Sequence, residues 1–136
     1  AGIPFVGHLG FTPQSENMLG GRRIQGRGDG AYDEMFADAL ALQEAGACMI
    51  VLEMVISPVA ERLTAALDIP TIGIGAGPHT DGQVLVWLDA LGMSGWSPSF
   101  AKHFGEVGKA MRDAALSYVS EVKGQAFPSA SHTFDE

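Results

Sequence analysis

A continuous apolar run that contains one carboxylate constrains this chain more than any other feature. Residues 48–55 read C-M-I-V-L-E-M-V and follow a helix-like segment that ends at Gly46. A run of this length and composition predicts a buried strand of a parallel sheet. Its carboxylate, Glu53, falls where the strand would end. Because strand–helix repeat folds carry their chemistry at the carboxyl ends of the strands, Glu53 is the first candidate for acid–base work.

The rest of the chain alternates strand-like and helix-like segments. Further strands are predicted over residues 3–7 and 84–87, and residues 69–77 are predicted to be a strand followed by a glycine turn. Helices are predicted over residues 32–45, from Ser57 as N-cap, and from Ser97 towards Gly124. Residues 11–30 form a long glycine-rich connection, and residues 125–136 are expected to be an irregular tail. This alternation predicts an α/β fold with a parallel sheet. The four strands fit either a small open sheet or half of an eight-stranded (β/α) barrel.

Composition and charge narrow the classes of function. The chain has 136 residues, enough for one modest domain, and a net charge of −8, which argues against nucleic acid or an anionic membrane as partner. Its single cysteine, Cys48, lies in the apolar strand, so we expect no disulfide framework and no cysteine-based zinc motif. This cysteine usage fits a reducing cytoplasm, so we expect a cytoplasmic location. No apolar run approaches the roughly 20 residues of a membrane span.

Glu53 and His8 are the two candidate site residues. A desolvated carboxylate has a raised pKa, which suits a general base near neutral pH. The alternative is a Glu53 that is exposed or paired with an arginine. His8 is predicted to lie at a strand end between Gly7 and Gly10. It is placed to hydrogen-bond a substrate oxygen or bind a metal, and a purely structural histidine is the alternative.

Other motifs are weaker. Residues 73–77 read G-I-G-A-G, which lacks the spacing of a dinucleotide-binding loop and favours a tight turn. Asp81 and Asp89 are possible metal ligands but have no metal-ligand spacing, so we expect turn and strand-end roles for them. Three arginines within residues 22–27 fit either a carboxylate-binding patch or a solvated loop.

Several blocks of sequence, in the same order, resemble the ketopantoate hydroxymethyltransferase (3-methyl-2-oxobutanoate hydroxymethyltransferase) family. The blocks are G-H-L-G-F-T-P-Q-S at 7–15, Q-G-R at 25–27, V-L-E at 51–53, I-P-T-I-G-I-G-A-G at 69–77, D-G-Q-V-L-V at 81–86, and a C-terminal segment at 127–134. Several blocks in register are far more specific than any single motif.

This resemblance implies a (β/α)₈ TIM barrel of the phosphoenolpyruvate mutase/isocitrate lyase type. It also implies transfer of a hydroxymethyl group from 5,10-methylenetetrahydrofolate to 3-methyl-2-oxobutanoate. The product would be 2-dehydropantoate, on the route to pantothenate and coenzyme A. In the family a divalent metal, usually Mg²⁺, polarises the keto group as a Lewis acid. Glu53 matches the family's proton acceptor, and His8 matches a histidine near the substrate.

The resemblance covers only the C-terminal half of the family's barrel, so residues 1–136 would supply roughly strands five to eight. The family's metal ligands lie in the N-terminal half, and none is expected in this chain. The chain by itself is therefore predicted to be inactive until an N-terminal half completes it. Two alternatives stay open: a non-catalytic half-barrel assembly module, and another 2-oxo acid lyase or mutase of the same superfamily. The resemblance also implies a large homo-oligomer.

Overall fold

The computed structural model describes residues 2–134, and the chain divides into two compact units, residues 1–85 and 86–136. Ala1, Asp135 and Glu136 lie outside the described residues, so the ends of the predicted domain and of the predicted tail are not covered. The first unit contains the sheet and two helices. The second unit is helical.

The first unit is a four-stranded parallel sheet with strand order β1-β2-β3-β4. Its strands and helices follow the chain as β1 (Val6–Gly10), α1 (Ala31–Glu44), β2 (Met49–Glu53), α2 (Ser57–Ala66), β3 (Thr71–Ile74) and β4 (Gly82–Gln83). The predicted α/β class, with parallel strands and intervening helices, is confirmed by this arrangement. Within the apolar run 48–55, residues Met49–Glu53 form β2, which pairs with β1 on one side and β3 on the other. Cys48, predicted to lie in the strand, precedes it and is exposed.

The core lies between the sheet and helices α1 and α2. Ile50 and Leu52 of β2 are fully buried and pack in one cluster with Val59 and Leu63 of α2. Ala39 of α1 belongs to the same cluster. Because side chains alternate along a strand, the odd-numbered residues of β2 point to the opposite face of the sheet. That face carries Glu53, and the residues on it remain partly exposed.

The fourth strand differs from its prediction. The sequence predicts a strand over residues 84–87, but β4 is Gly82–Gln83 and Trp87 is the first residue of a short helix. Val84 still donates its N–H to the carbonyl of Gly73 at 3.0 Å, and the backbone leaves the sheet after this bond. The strand prediction was wrong because it relied on the apolar side chains of residues 84–86. Apolar composition indicates a preference for burial, but it does not indicate where hydrogen bonding between the strands ends.

A polar network joins the start of β3 to the turn before β4. Thr71 is fully buried, and the carboxylate oxygen Oδ2 of Asp81 accepts hydrogen bonds from its N–H at 2.8 Å and its hydroxyl at 3.2 Å. The hydroxyls of Thr71 and Thr64, on α2, lie 2.7 Å apart. The predicted turn role of Asp81 is therefore confirmed, since its side chain supplies the acceptor that a buried backbone N–H needs.

The second unit contains α3 (Trp87–Ala90) and α4 (Val107–Lys123). The last helix was predicted to begin at Ser97, but it begins at Val107. Ser97 instead donates its hydroxyl to Asp89 at 3.0 Å, and Pro98 accepts the N–H of Ala101 in a turn. Within the tail predicted to be irregular, Ala130–His132 form a short 3-10 helix.

Removing the Asp81 carboxylate should destabilise the first unit. Asp81→Ala leaves the buried N–H of Thr71 without its acceptor, so the free energy of unfolding should fall by about 1–3 kcal/mol. Urea denaturation measures this change. Asp68→Ala is the matched control, because the Asp68 carboxylate accepts only an exposed bond from Gln43 at 3.3 Å. Equal losses for the two variants would contradict the structural role of Asp81.

Candidate active site

The two predicted site residues meet on the face of the sheet opposite the helices. The Nε2 atom of His8, on β1, lies 3.1 Å from Oε2 of Glu53, at the end of β2. The two side chains keep 32% and 19% of their exposure, so the pair is sheltered and still reachable from solvent. A sheltered carboxylate paired with an imidazole can accept, hold or return a proton. Among residues 2–134 the ion-pair partner of Glu53 is His8, and not an arginine, the alternative weighed from sequence.

His8 does not lie at the end of its strand, as the sequence suggested. The predicted strand 3–7 is shifted, because β1 keeps pairing with β2 as far as the register partners Gly10 and Glu53. Phe11, which follows, is buried and donates its N–H to the carbonyl of Glu53 at 2.8 Å. This extended pairing places His8 two residues before the strand end, on the same face as Glu53.

Gly10 permits the close approach of β1 to the end of β2. It has a φ of +89°, and a side chain there would collide with the carbonyl oxygen of Glu53 and with the side chain of Val55. Glycine satisfies both requirements, since it has no Cβ and adopts positive φ readily. The position of the Glu53 backbone therefore depends on this glycine.

Met54, directly after Glu53, is a site feature that sequence reasoning missed. Its φ is +51°, a left-handed conformation that is uncommon for a residue other than glycine and is often found at functional sites. Both of its backbone groups are used: the N–H bonds to Ile74 at 2.9 Å and the carbonyl to Gln25 at 2.7 Å. No sequence signal identifies such a residue, because methionine has no preference for this region.

The long connection 11–30 is attached to the site near its C-terminal end. Gln25 forms an isolated parallel bridge with Val55, and it accepts the N–H of Ile56 at 3.1 Å. Gly26 lies against Ile56 and Val59, where a side chain would be in tight contact. The Q-G-R block at 25–27 is therefore held beside the end of β2, next to the segment that follows Glu53.

A cleft of about 530 Å³ opens beside His8, between β1, the connection 11–30 and helix α1. Thr12, Gln25 and Arg27 line one side, and the carboxylates of Glu34 and Asp38 lie on α1. A smaller cleft of about 330 Å³ continues along His8 and α1. Both clefts border β1, which is an edge strand of the sheet in this chain.

The remaining sequence candidates have structural partners. Asp89 accepts the hydroxyls of Ser94 and Ser97, at 3.2 and 3.0 Å. It lies in the short helix α3 and not at a turn or strand end, so the role predicted for it is wrong. The glycine turn 73–77 packs against α2, where the side chain of Ser57 fills the space beside Gly77. Ser57 is the first residue of α2 and not its N-cap, which is Ile56.

Residues 2–134 contain neither a cluster of three metal-binding side chains nor a membrane-spanning helix. No three His, Cys, Asp or Glu side chains in this range converge in a way that would hold a metal ion. The described part of the chain therefore does not form a site with three protein ligands by itself. No helix in the same range is long and apolar enough to cross a membrane.

Comparison with known families decides the assignment. The family model for ketopantoate hydroxymethyltransferase matches residues 1–130. This chain belongs to the ketopantoate hydroxymethyltransferase family. The resemblance drawn from the sequence blocks is thereby confirmed, and the matched range includes His8, Glu53 and the residues that line the cleft beside His8.

Relatives within the family are similar over nearly the whole chain. The chain is 55% identical to the 3-methyl-2-oxobutanoate hydroxymethyltransferase of Saccharopolyspora erythraea, over 99% of its own length and 46% of that protein. It is 54% identical to the protein of the same name from Mycobacterium ulcerans, over 98% of this chain and 45% of that one. The chain thus spans about half the length of the curated relatives it matches.

Substituting Gly10 should disturb the end of β2 more than substituting a glycine in open space. Gly10→Ala combines a left-handed backbone, which costs about 1–2 kcal/mol for a non-glycine residue, with a collision that adds about 1–3 kcal/mol. Gly28→Ala is the control, because Gly28 has a similar φ of +95° and nothing within 4 Å of an added Cβ. Urea unfolding of both variants measures the difference, and equal destabilisation would show that β1 does not approach Glu53 this closely.

Proposed function

We propose that this chain is the C-terminal half of a ketopantoate hydroxymethyltransferase barrel and carries the base of the reaction. The proposal rests on the His8–Glu53 pair, which lies at the carboxyl end of a parallel sheet in a chain 55% identical to a named 3-methyl-2-oxobutanoate hydroxymethyltransferase. In parallel-stranded barrels this end of the sheet is where active sites form. The fold proposed is a (β/α)₈ barrel of the phosphoenolpyruvate mutase/isocitrate lyase type.

The exposed edge and face of the sheet support the completion of a barrel by a second half. The backbone of β1 pairs on one side only in this chain, and an unpaired strand edge readily accepts another strand. The face of the sheet that carries His8 and Glu53 is also partly exposed. It includes two apolar side chains, Val51 of β2 and its register partner Ile72 of β3, which a completed barrel would bury. Four further strands, paired with this edge, would turn that face into the barrel interior.

Glu53 is proposed as the proton acceptor. The carboxylate would take the proton from C3 of 3-methyl-2-oxobutanoate, and the electron pair of the broken C–H bond would pass into an enolate. That carbon then forms a C–C bond to the one-carbon unit of 5,10-methylenetetrahydrofolate, and the two C–N bonds of that unit break. Water supplies the hydroxyl group, and the two nitrogens take up the proton from C3 and the remaining proton of water. With one water molecule consumed, the products are 2-dehydropantoate and tetrahydrofolate. His8 is proposed as a substrate-binding residue beside the base, because it contacts Glu53 and also lines the cleft.

The metal, the location and the assembly follow the family. We place the ligands of a Mg²⁺ or similar divalent ion in the N-terminal half, which this chain does not span. The proposed pathway is pantothenate and coenzyme A synthesis in the cytoplasm, and the proposed assembly is a large homo-oligomer. Segment 11–30 is proposed to help enclose the substrates, since residues 12 and 24–27 line the cleft.

Glu53→Gln should separate binding from chemistry in the completed barrel. The amide keeps the size of the side chain but cannot accept the C3 proton. Exchange of that proton with deuterated solvent should therefore slow by about 10²- to 10⁴-fold. The dissociation constant of 3-methyl-2-oxobutanoate should change by less than about threefold, because the lost interaction belongs to the transition state.

Proton NMR of the keto acid follows the exchange, and calorimetry gives the dissociation constant. Glu61→Gln is the matched control, since Glu61 is an exposed carboxylate of α2 whose side chain is 58% accessible. Normal exchange in Glu53→Gln would exclude Glu53 as the base.

The chain alone should not turn over substrate, and the completed barrel should. Coupled assays with the folate donor, run on the chain by itself and on the chain joined to the N-terminal half of the Saccharopolyspora erythraea relative, test this. Activity of the isolated chain would contradict the proposed division of the site. A completed, folded barrel that neither exchanges the C3 proton of the keto acid nor uses the folate donor would favour a non-catalytic module. Exchange of the C3 proton without use of the folate donor would favour another 2-oxo acid enzyme.

A further inference from the structure

The hydrogen bond between His8 and Glu53 joins specific atoms, and these atoms restrict what each residue can do. Nε2 of His8 lies 3.1 Å from Oε2 of Glu53, so the second oxygen, Oε1, is not part of this bond. In the part of the chain that the structure describes, the Glu53 carboxylate has His8 as its hydrogen-bonding partner. The direction that the carboxylate faces is thus set from a neighbouring strand.

The proton in this bond is assigned by the chemistry of the proposed base. A base that is ready to take a proton is an ionised carboxylate, which can only accept hydrogen bonds. Nε2 of His8 must therefore be the donor. In the neutral ring Nδ1 then has no proton, so it can accept a hydrogen bond but cannot donate one to the oxygens of a keto acid, which are themselves acceptors.

We propose that His8 is the positioning residue of the base: its Nε2–H holds Oε2 of Glu53 and leaves Oε1 as the atom that accepts the C3 proton. This inference rests on the proposed function and refines it. The C3–H bond breaks, its proton forms the O–H bond at Oε1, and the electron pair stays on the enolate. His8 acts on the reaction through Glu53.

The strand pairing makes His8 a rigid support for this role. His8 is in the middle of β1 and opposite Val51 in the register. Its backbone is therefore fixed two residues before Gly10, the register partner of Glu53. On one side of it, Gly7 lies so close to Leu42 and Ile50 that a side chain there would be crowded. A side chain held in this way orients its partner with little loss of freedom, and misplacement of a catalytic group by about 1 Å can reduce the rate by about a hundredfold.

Two isosteric substitutions in the completed barrel test the proposal. The amide nitrogen of His8→Gln occupies about the place of Nε2 and can still donate to Glu53. The amide nitrogen of His8→Asn occupies about the place of Nδ1 and cannot reach Glu53. We expect His8→Gln to keep C3 exchange within about threefold of the wild type and His8→Asn to lose about 10- to 100-fold in kcat, with KM changed by less than about threefold.

Each outcome of this comparison bears on the proposal. The expected order, with Gln retaining activity and Asn losing it through kcat, supports positioning by Nε2. The reverse order would overturn it in favour of a substrate bond from Nδ1. Equal large losses would overturn it in favour of a role that needs the whole imidazole, and equal retention would show that Glu53 needs no support. Thermal unfolding confirms that each variant is folded, and a second completed barrel, with His103 of the other unit replaced by Gln and Asn, controls for the substitutions themselves.

The wild-type measurement separates this inference from the proposed function. If the wild-type completed barrel does not exchange the C3 proton of the keto acid with solvent, the proposed function fails, and the role of His8 that rests on it fails too. If the wild type exchanges and Glu53→Gln does not, the proposed base stands, and the Gln-to-Asn comparison then judges His8 alone.

Discussion

The burial of Ile50 and Leu52 is the interaction on which the first unit depends. These two side chains fix β2 against α1 and α2, and the parallel pairing of β2 with both neighbours then orders the sheet. Because residues alternate along a strand, burying the even-numbered positions of β2 sends Glu53 to the other face. The stability of the core and the location of the carboxylate are therefore consequences of one alternating pattern.

The backbone around the carboxylate is more constrained than the carboxylate itself. Gly10 approaches the Glu53 carbonyl, Phe11 bonds to it, and Met54 turns the chain in a left-handed conformation whose carbonyl holds Gln25. Elements that are distant in sequence thus converge on one strand end. A site built this way keeps its geometry through main-chain bonds, and side chains such as that of His8 are left to adjust the chemistry.

Much of this arrangement can be predicted from the sequence. The apolar run 48–55 predicts β2, the spacing of residues 32–45 predicts α1, and the resemblance of ordered blocks predicts the family. The direct bond between His8 and Glu53 cannot be predicted, because it depends on a register that extends to Gly10. Met54 has no signal in its residue type. Ser97 has the sequence of a helix start, but Asp89 takes its hydroxyl and the helix begins ten residues later.

The glycines of β1 have a further consequence for how the strands can align. A shift of β1 by one residue would place Leu9 or Phe11 where Gly10 meets the Glu53 carbonyl, and neither side chain fits there. The same shift would turn the ring of His8 towards α1, since one residue of slip exchanges the two faces of a strand. Steric exclusion at Gly10 therefore selects the register in which β1 pairs with β2. The alignment that it admits is the one in which the carboxylate has its histidine.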